Sequence, residues 1–365
     1  MQITAAVTPA TSAPFELREL ELADPRPSQM VVRITATGMC HTDLIVRDQW
    51  FPTPLPAVLG HEGVGVVERV GSAVTAVAPG DQVVLSYNSC GWCDQCAAAT
   101  PNYCGQFWAH NFAGSMPDGS HTLHDRDQPV SGNFFGQSSF ATHALVRERS
   151  IVRVPGDAGL PAQLLAPLGC GVQTGAGAVL NTLRPRPGSN LVVYGVGAVG
   201  LSALLAAKLA GCTRIIAVDR NEQRLKLAEN LGATDALLSD SGTAKRIRTM
   251  TSGGVHYAVE ATGVPAVLRT AMDSLAQGGT CVLVGAAASR ATTEIDVSTL
   301  LFGRRLVGTI EGDAIPQEFI PRLIELYRAG LFRFDNFVET YPFRDINRAA
   351  SDAESGRTVK PVLVW

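Results

Sequence analysis

The sequence predicts an α/β chain made of a doubly wound parallel sheet and a distinct β-rich body, and three observations predict it. From Asn190 onward, apolar strand-like runs alternate with amphipathic helical runs. The first 155 residues instead hold short, Val-rich runs broken by glycine and proline. A glycine-rich turn, Gly195-Val-Gly197-Ala-Val-Gly200, joins the first of the later strands to a helix. Alternating strands and helices build parallel sheets, whereas short strands with frequent turn signals build barrels or sandwiches.

The early strands are expected at residues 30–36, 63–70 and 81–87, punctuated by Gly60, Gly71 and Pro79-Gly80. The later ones are expected at residues 190–194, 214–218, 236–238, 257–260, 279–284 and 305–309, with helices between them that include 198–209 and 222–231. A helix at 317–329 then leads into a β-like tail, Lys360-Pro-Val-Leu-Val-Trp365. The tail is closer in character to the first segment than to the middle, so it is expected to return to the first domain. No internal repeat and no low-complexity segment interrupts this plan.

At about 150 residues per domain, 365 residues suggest about two domains. The 46% hydrophobic and 17% charged content is ordinary for globular proteins and supports a full core in each domain. The net charge is -3 and no run of five basic residues occurs, so neither nucleic acid nor an anionic membrane surface is an expected partner. Residues 1–9 lack a basic stretch followed by an apolar one, the pattern of a secretory signal. The most apolar stretch, residues 191–209, is interrupted by Gly195, Gly197, Gly200, Ser202 and Lys208, too often to span a bilayer. The eight cysteines therefore read as metal ligands or buried thiols before disulfides, and a cytoplasmic location is expected.

In the glycine turn, Gly195 makes the tight bend, Gly197 lets backbone approach a pyrophosphate, and Gly200 lets helix and strand pack closely. The helix that follows offers free N–H groups and a positive dipole end to phosphates. Asp219 ends the next strand, 19 residues past Gly200. A carboxylate there accepts hydrogen bonds from ribose hydroxyls and repels a 2′-phosphate, so NAD is favoured over NADP. Arg220 and Arg224 argue the other way, because arginine can accommodate that phosphate.

Cys90-x2-Cys93-x2-Cys96-x7-Cys104 closes a tetrahedral thiolate shell within one loop, the pattern of a structural zinc, with an iron–sulfur cluster as the lesser alternative. Four thiolates give Zn²⁺ a formal charge of about -2, which makes the ion a poor Lewis acid. Cys40, His61 with its neighbour Glu62, and Cys170 form a second candidate set. Two thiolates and a neutral imidazole would leave a neutral zinc with one open position. Taken singly, Cys170 also reads as a small buried apolar side chain and His61 as a satisfied turn histidine.

Together these motifs resemble the zinc-containing alcohol dehydrogenases of the medium-chain dehydrogenase/reductase superfamily along the whole chain. The resemblance rests on Thr37-Gly-Met-Cys-His-Thr-Asp43, Gly60-His-Glu-Gly63, the four-cysteine loop, Gly169-Cys-Gly-Val-Gln-Thr174-Gly and the Gly195 turn, in that family's order and spacing. Two cysteines and one histidine are the ligand set long associated with alcohol dehydrogenase zinc, so that match is no discovery of this chain. The resemblance implies a GroES-like β-rich catalytic domain over residues 1–171, completed by 313–365, and a Rossmann domain over 172–312. Within the family the chain is most similar to bacterial aryl-alcohol (benzyl alcohol) dehydrogenases. That likeness is carried by residues 40–48, 134–141 and 167–175 and by Ile310-Glu-Gly-Asp313. Terpenoid dehydrogenases of the geraniol type look similar at these places.

The resemblance implies two zinc ions per chain, one catalytic and one structural, with NAD. It gives Cys40, His61 and Cys170 the catalytic zinc, Asp43 the support of His61, and Glu62 a place beside the metal in ligand exchange. Thr42 takes the hydroxyl position that removes the alcohol proton. Thr174, Val199 and Thr262 line the nicotinamide, and His41 and Lys360 contact the pyrophosphate. For Lys360 an exposed tail lysine is the competing reading. Many relatives carry a histidine three residues after that hydroxyl as the end of a proton relay; here the place is Ile45.

The implied reaction is hydride transfer between a primary benzylic or allylic alcohol and NAD, giving the aldehyde. Trp50, Phe51, Phe107, Trp108 and Phe134 lie near the motifs and would shape an apolar slot for a flat substrate; core packing is the competing reading for each. A homo-oligomer, dimer or tetramer, is expected through residues 279–309, where an exposed sheet edge needs covering. Two other readings fit less well. A zinc-ribbon nucleic-acid module lacks basic flanks here, and zinc-free reductase relatives lack the Cys40, His61 and Cys170 trio.

Overall fold

Gln29–Gly38 is the strand on which the first structural unit is built, and all of it is buried except Arg33 and the half-buried Thr35. It pairs antiparallel with Glu62–Val70, with His143–Arg147 and with the C-terminal strand Lys360–Val364. A strand buried on both faces is apolar along nearly its whole length, and residues 30–36 are Met, Val, Val, Ile and Ala apart from Arg33 and Thr35. The sheet continues through Gln82–Leu85 and Ile151–Arg153 on one side and Val338–Pro342 on the other. A second sheet orders Ala57–Val58, Gln2–Thr8, Glu16–Leu22, Leu123–Asp125 and Gln128–Val130. In Glu16–Leu22, buried Leu20 and Leu22 alternate with exposed Glu19 and Glu21, the period of a strand with one face on the core.

The computed structural model describes residues 1–156 and 158–365, which fall into two units. One holds Met1–Cys170, Ile315–Arg328 and Phe337–Trp365; the other holds Gly171–Ala314 and Ala329–Asn336. The tail strand joins the first unit, as its composition suggested. The short excursion Ala329–Asn336 does not: it clusters with the second unit, although all of 313–365 was expected in the first. It carries Phe332 and Phe334, both fully buried, and two large rings need a core wall wherever the chain passes one.

The second unit has six parallel strands in the order Asp235–Leu238, Arg214–Asp219, Asn190–Tyr194, Val255–Glu260, Leu275–Leu283 and Arg305–Gly308. Counted along the chain this is 3-2-1-4-5-6, the Rossmann order, and all six were expected within a few residues. The order reverses beside Asn190–Tyr194, so the Gly195 turn lies at a carboxyl end where such sheets leave a crevice. The helix Ala198–Leu209 is apolar on nearly every side because it is buried by sheet and neighbouring helix alike. One such neighbour is Gly171–Gly177, where a Cβ on Gly175 would come 2.0 Å from the Val199 carbonyl oxygen.

The three glycines of the turn have separable duties. Gly195 has φ +85°, open to glycine without cost. A Cβ on Gly200 would sit 1.9 Å from the Gly195 carbonyl oxygen, whereas one on Gly197 would meet no atom within 4 Å. Gly200→Ala should therefore destabilise the fold by about 1–3 kcal/mol. Gly197→Ala should cost less than about 1 kcal/mol yet abolish dinucleotide binding. Thermal melts and dinucleotide titration on both variants check this; equal melting temperatures, or a Gly197→Ala protein that binds normally, would refute the division.

Candidate active site

Two strand ends create the site. Gly38 pairs with Glu62 across antiparallel strands, so the chain leaving toward Cys40 runs beside the chain arriving through His61. A Cβ on Gly38 would lie 1.9 Å from Glu62 Oε2, so any larger residue there would displace that carboxylate. Cys170 is brought in from Ala166–Gly169, which packs on the end of Gln82–Leu85. Ser86 Oγ donates to the Gly169 carbonyl at 2.7 Å, and a Cβ on Gly169 would come 2.2 Å from the Leu85 carbonyl oxygen.

Cys40, His61, Glu62 and Cys170 thus place one potential ligand atom each within 4.8 Å of one another. Asp43, fully buried, organises them. Its Oδ1 accepts from His61 Nδ1 at 2.9 Å and from the Gly60 N–H at 3.0 Å, while Oδ2 accepts from the Cys40 N–H at 2.8 Å. The last contact is half of a capping box on helix His41–Arg47. With Nδ1 committed to Asp43, His61 Nε2 is buried without a hydrogen-bond partner among the described residues. A buried ring nitrogen left in that condition beside two thiols fits a metal ligand and little else.

The electrostatics agree. The Cys170 hydrogen bond, opposed by burial and helped by the charges of Lys360 and His61, holds the Cys40 thiol well below its ordinary range. Burial opposes charge on His61, and Asp43 outweighs it, so the proton affinity of the ring lies well above the usual histidine range. Thr42 is half-buried, with Oγ1 3.8 Å from Cys40 Sγ. Ile45 is buried, and His41 is exposed at the start of the helix.

Lys360 departs from the reading of a tail lysine in solvent. It is no exposed tail residue: only 2% exposed, its Nζ donates to the Met39 carbonyl at 3.1 Å and to the two Glu62 oxygens at 2.8 and 2.9 Å. An ammonium group has three N–H donors, and these three acceptors use them all. The cause is the register of Lys360–Val364, whose first residue falls at the buried end of the sheet beside Glu62. Burial works against the ammonium charge, but Glu62 prevails and the pKa of Lys360 is raised.

The four-cysteine loop forms a second cluster, likewise able to hold a metal. A tetrahedral zinc with sulfur about 2.3 Å away sets sulfur–sulfur edges of about 3.8 Å. Cys90 and Cys96 sulfurs are 3.8 Å apart, and those of Cys93 and Cys104 are 3.9 Å apart. Backbone N–H groups of Cys90, Gly91, Cys93, Gly105 and Gln106 point at the sulfurs from 3.3 to 3.4 Å. These donors suit thiolates, and among the described residues the cluster includes no fifth candidate ligand.

Aromatic residues wall the first cluster. Phe135 stacks on the His61 ring at 4.5 Å and Phe134 meets it edge-on at 5.4 Å. Phe112 links both to Phe51, which also meets Trp108 at 6.1 Å. Phe134, expected as a pocket wall, is a core side chain at 1% exposure; Phe51 is half-buried. The sequence reading missed Phe112 and Phe135. Phe135 holds φ +50°, an outlier for a bulky residue, and no sequence pattern marks it.

In the second unit Asp219 ends its strand with each carboxylate oxygen on one backbone N–H, Val196 at 2.8 Å and Asn221 at 2.9 Å. It therefore pins the glycine turn while keeping acceptor capacity. Thr262 packs on that turn, its Cγ2 2.7 Å from where a Gly195 Cβ would be. The buried Glu260 fixes it, accepting from the Thr262 N–H at 2.8 Å and from its hydroxyl. Arg224 Nε is buried without a hydrogen-bond partner among the described residues. Thr174 and Val199 lie on the two helices that touch at Gly175.

Comparison with known proteins agrees with this construction. Residues 26–156 match the model of the alcohol dehydrogenase GroES-like domain, and residues 198–329 match that of the zinc-binding dehydrogenase. A geraniol dehydrogenase of Castellaniella defragrans is 44% identical over 99% of this chain and 97% of its own. The crystal structure of benzyl alcohol dehydrogenase from Acinetobacter calcoaceticus superposes with TM-score 0.96 at 48% identity, covering 100% of this chain and 99% of that one. An alcohol dehydrogenase zinc-binding domain protein from Burkholderia ambifaria superposes with TM-score 0.97 at 50% identity over 100% and 99% of the two chains. The chain belongs to the zinc-dependent alcohol dehydrogenases of the medium-chain dehydrogenase/reductase superfamily.

Proposed function

We propose that this alcohol dehydrogenase interconverts primary benzylic or allylic alcohols and their aldehydes with NAD, at a zinc ion held by Cys40, His61 and Cys170. The observation that carries the reading is the buried, unpartnered His61 Nε2, which faces two thiols while Asp43 holds the other ring nitrogen. The wall of Phe135 against that imidazole favours flat, conjugated substrates, as does similarity to proteins named benzyl alcohol and geraniol dehydrogenases. A terpenoid preference, or a broad one, is the competing reading that the geraniol dehydrogenase likeness supports.

Bound zinc supplies Lewis acidity toward the alcohol oxygen, and NAD supplies the hydride acceptor. The chain does the rest. Cys40, His61 and Cys170 would hold the metal. Glu62, kept against Lys360, stays beside these three as a ligand in reserve. Thr42 Oγ1 takes the alcohol proton, and buried Ile45 closes the onward route a histidine there would offer. Thr174, Val199 and Thr262 would line the nicotinamide and fix its orientation, and holding a reactant in one orientation lowers the entropic cost of reaction. Asp219 receives the adenosine ribose hydroxyls and disfavours a 2′-phosphate, while Arg220 and Arg224 soften that choice. The four-cysteine loop would hold a second, structural zinc.

Two copies should pair through the second unit. Arg305–Gly308 is the last strand of its sheet, and Val297, Leu301 and Phe302 beside it are 73%, 87% and 59% exposed. Exposed apolar side chains next to an open sheet edge call for a covering surface. Light scattering at micromolar concentration should give a dimer or tetramer; a monomer would refute the pairing.

The substrate assignment rests on burial of a ring that ethanol lacks. Values of kcat/KM for benzyl alcohol, or for geraniol, should exceed that for ethanol by more than about a hundredfold. The same assay with NADP should be the slower one. Equal efficiencies across the alcohols would end the aryl or allylic assignment, and a preference for NADP would show that Arg220 and Arg224 dominate Asp219.

A further inference from the structure

Gln137 follows the two rings that wall the site, and its side chain has no part in the mechanism so far. It is 1% exposed, and its amide spans two segments of the first unit. Oε1 accepts from the Gly63 N–H at 3.0 Å. Nε2 donates to the His61 carbonyl at 2.9 Å and to the Ser86 carbonyl at 3.3 Å. A backbone N–H can only donate and a carbonyl can only accept, so these partners fix which end of the amide is which. The backbone beneath is held as well. Ser138 Oγ donates to the Val58 carbonyl at 2.7 Å, and the Ser139 N–H donates to the Gly60 carbonyl at 2.9 Å.

The amide stands at the end of a ladder. Glu62–Val70 and Gln82–Leu85 pair from Val66 and Gln82 to Val64 and Val84. The same register would next bring Gly63 opposite Leu85. Gly169 comes in at that point: a Cβ there would lie 2.2 Å from the Leu85 carbonyl oxygen and 3.5 Å from the Glu62 Cα. A third segment interrupts the exchange of backbone N–H and C=O groups between the strands, and each buried group left over would cost stability. The Gln137 amide, chemically a peptide group, meets three of them, the Gly63 N–H and the His61 and Ser86 carbonyls. Gly63 admits it, since a Cβ there would already lie 3.0 Å from Gln137 Oε1.

We propose that Gln137 is a positioning residue for the metal site, an amide strut that sets the separation of His61 and Cys170. The inference rests on the proposed metal reading of these residues. Asp43 ties His61 to Cys40. The tie to Cys170 runs through Gln137: from the His61 carbonyl to Nε2, on to the Ser86 carbonyl, and from Ser86 Oγ to the carbonyl of Gly169, the residue before Cys170. One amide thereby couples the imidazole to the thiol that comes from furthest along the chain. Its loss leaves Cys40 and His61 joined through Asp43 and lets Cys170 drift from them.

The test is the metal chemistry of the full chain as wild type, Gln137→Met and Ser86→Ala. Methionine nearly matches glutamine in length but can bridge neither carbonyl. Zinc is counted after dialysis against a chelator. Cobalt(II) is then put into the emptied site, where near-ultraviolet absorbance reports cobalt–thiolate bonds. Gln137→Met should lose the zinc of the Cys40 site about tenfold or more readily, keep that of the four-cysteine loop, and show a weakened or shifted cobalt–thiolate band. Ser86→Ala breaks the same path one link on, so it should move retention and band in the same direction. The double variant should then resemble Gln137→Met, and strictly additive losses would contradict the shared path. If Gln137 only supports the fold, the melting temperature falls while zinc retention and the cobalt band stay as in wild type, and that result overturns the proposal. Should Gln137→Met fail to fold, Ser86→Ala decides, and unchanged retention with an unchanged band there overturns it too. A wild type that takes up neither zinc nor cobalt at Cys40, His61 and Cys170 would instead remove the metal reading itself, and the proposal with it.

Discussion

The Asp43 carboxylate is the constraint on which the site depends. A fully buried carboxylate is costly, and this one is offset by three N–H donors, one from Cys40 in its own turn and two from the adjacent residues Gly60 and His61. Its contact with Cys40 starts a helix. Its contact with Gly60 fixes the approach to a strand, and its contact with His61 fixes a ring. One side chain thereby ties the two ends of the Gly38 and Glu62 strand pair into a single geometry. The orientation of His61 follows: with Nδ1 bound, Nε2 alone can turn toward the thiols.

The two cysteine clusters show how similar ligands are given different duties. Around Cys90, Cys93, Cys96 and Cys104 the sulfurs approximate a full tetrahedron, and backbone donors surround them. Around Cys40, His61 and Cys170 the one further candidate ligand among the described residues is Glu62, both of whose oxygens accept from Lys360. A closed shell of four thiolates holds a loop, while three ligands plus a restrained fourth leave a position where a substrate oxygen can bind.

Much of this was legible in the sequence because it is local. Four cysteines within one loop, and three glycines between a strand and a helix, state their geometry by spacing alone. The six parallel strands followed from period and punctuation. Cys170 was different: more than a hundred residues separate it from His61, and only the family resemblance joined them. What stayed hidden is tertiary. Lys360 gives no local sign that strand register will drive its ammonium group under Glu62. Phe135 gives none that its backbone will adopt positive φ to lay a ring on His61, and the burial of Phe134 hangs on the same turn. Ala329–Asn336 looked like continuous tail because nothing in its composition says which core takes Phe332 and Phe334.

The central claim is that Asp43 holds a metal site together through His61 and Cys40. It is tested most directly by counting zinc in purified wild type and Asp43→Asn after dialysis against a mild chelator. An asparagine can accept from His61 but would face the Cys40 N–H with a second donor, and loss of such support typically weakens metal binding about 10- to 100-fold. The account predicts about two zinc ions per chain in the wild type and about one in the variant, the survivor being that of the four-cysteine loop, which Asp43 does not touch. Two ions retained in Asp43→Asn with unchanged resistance to the chelator would contradict it.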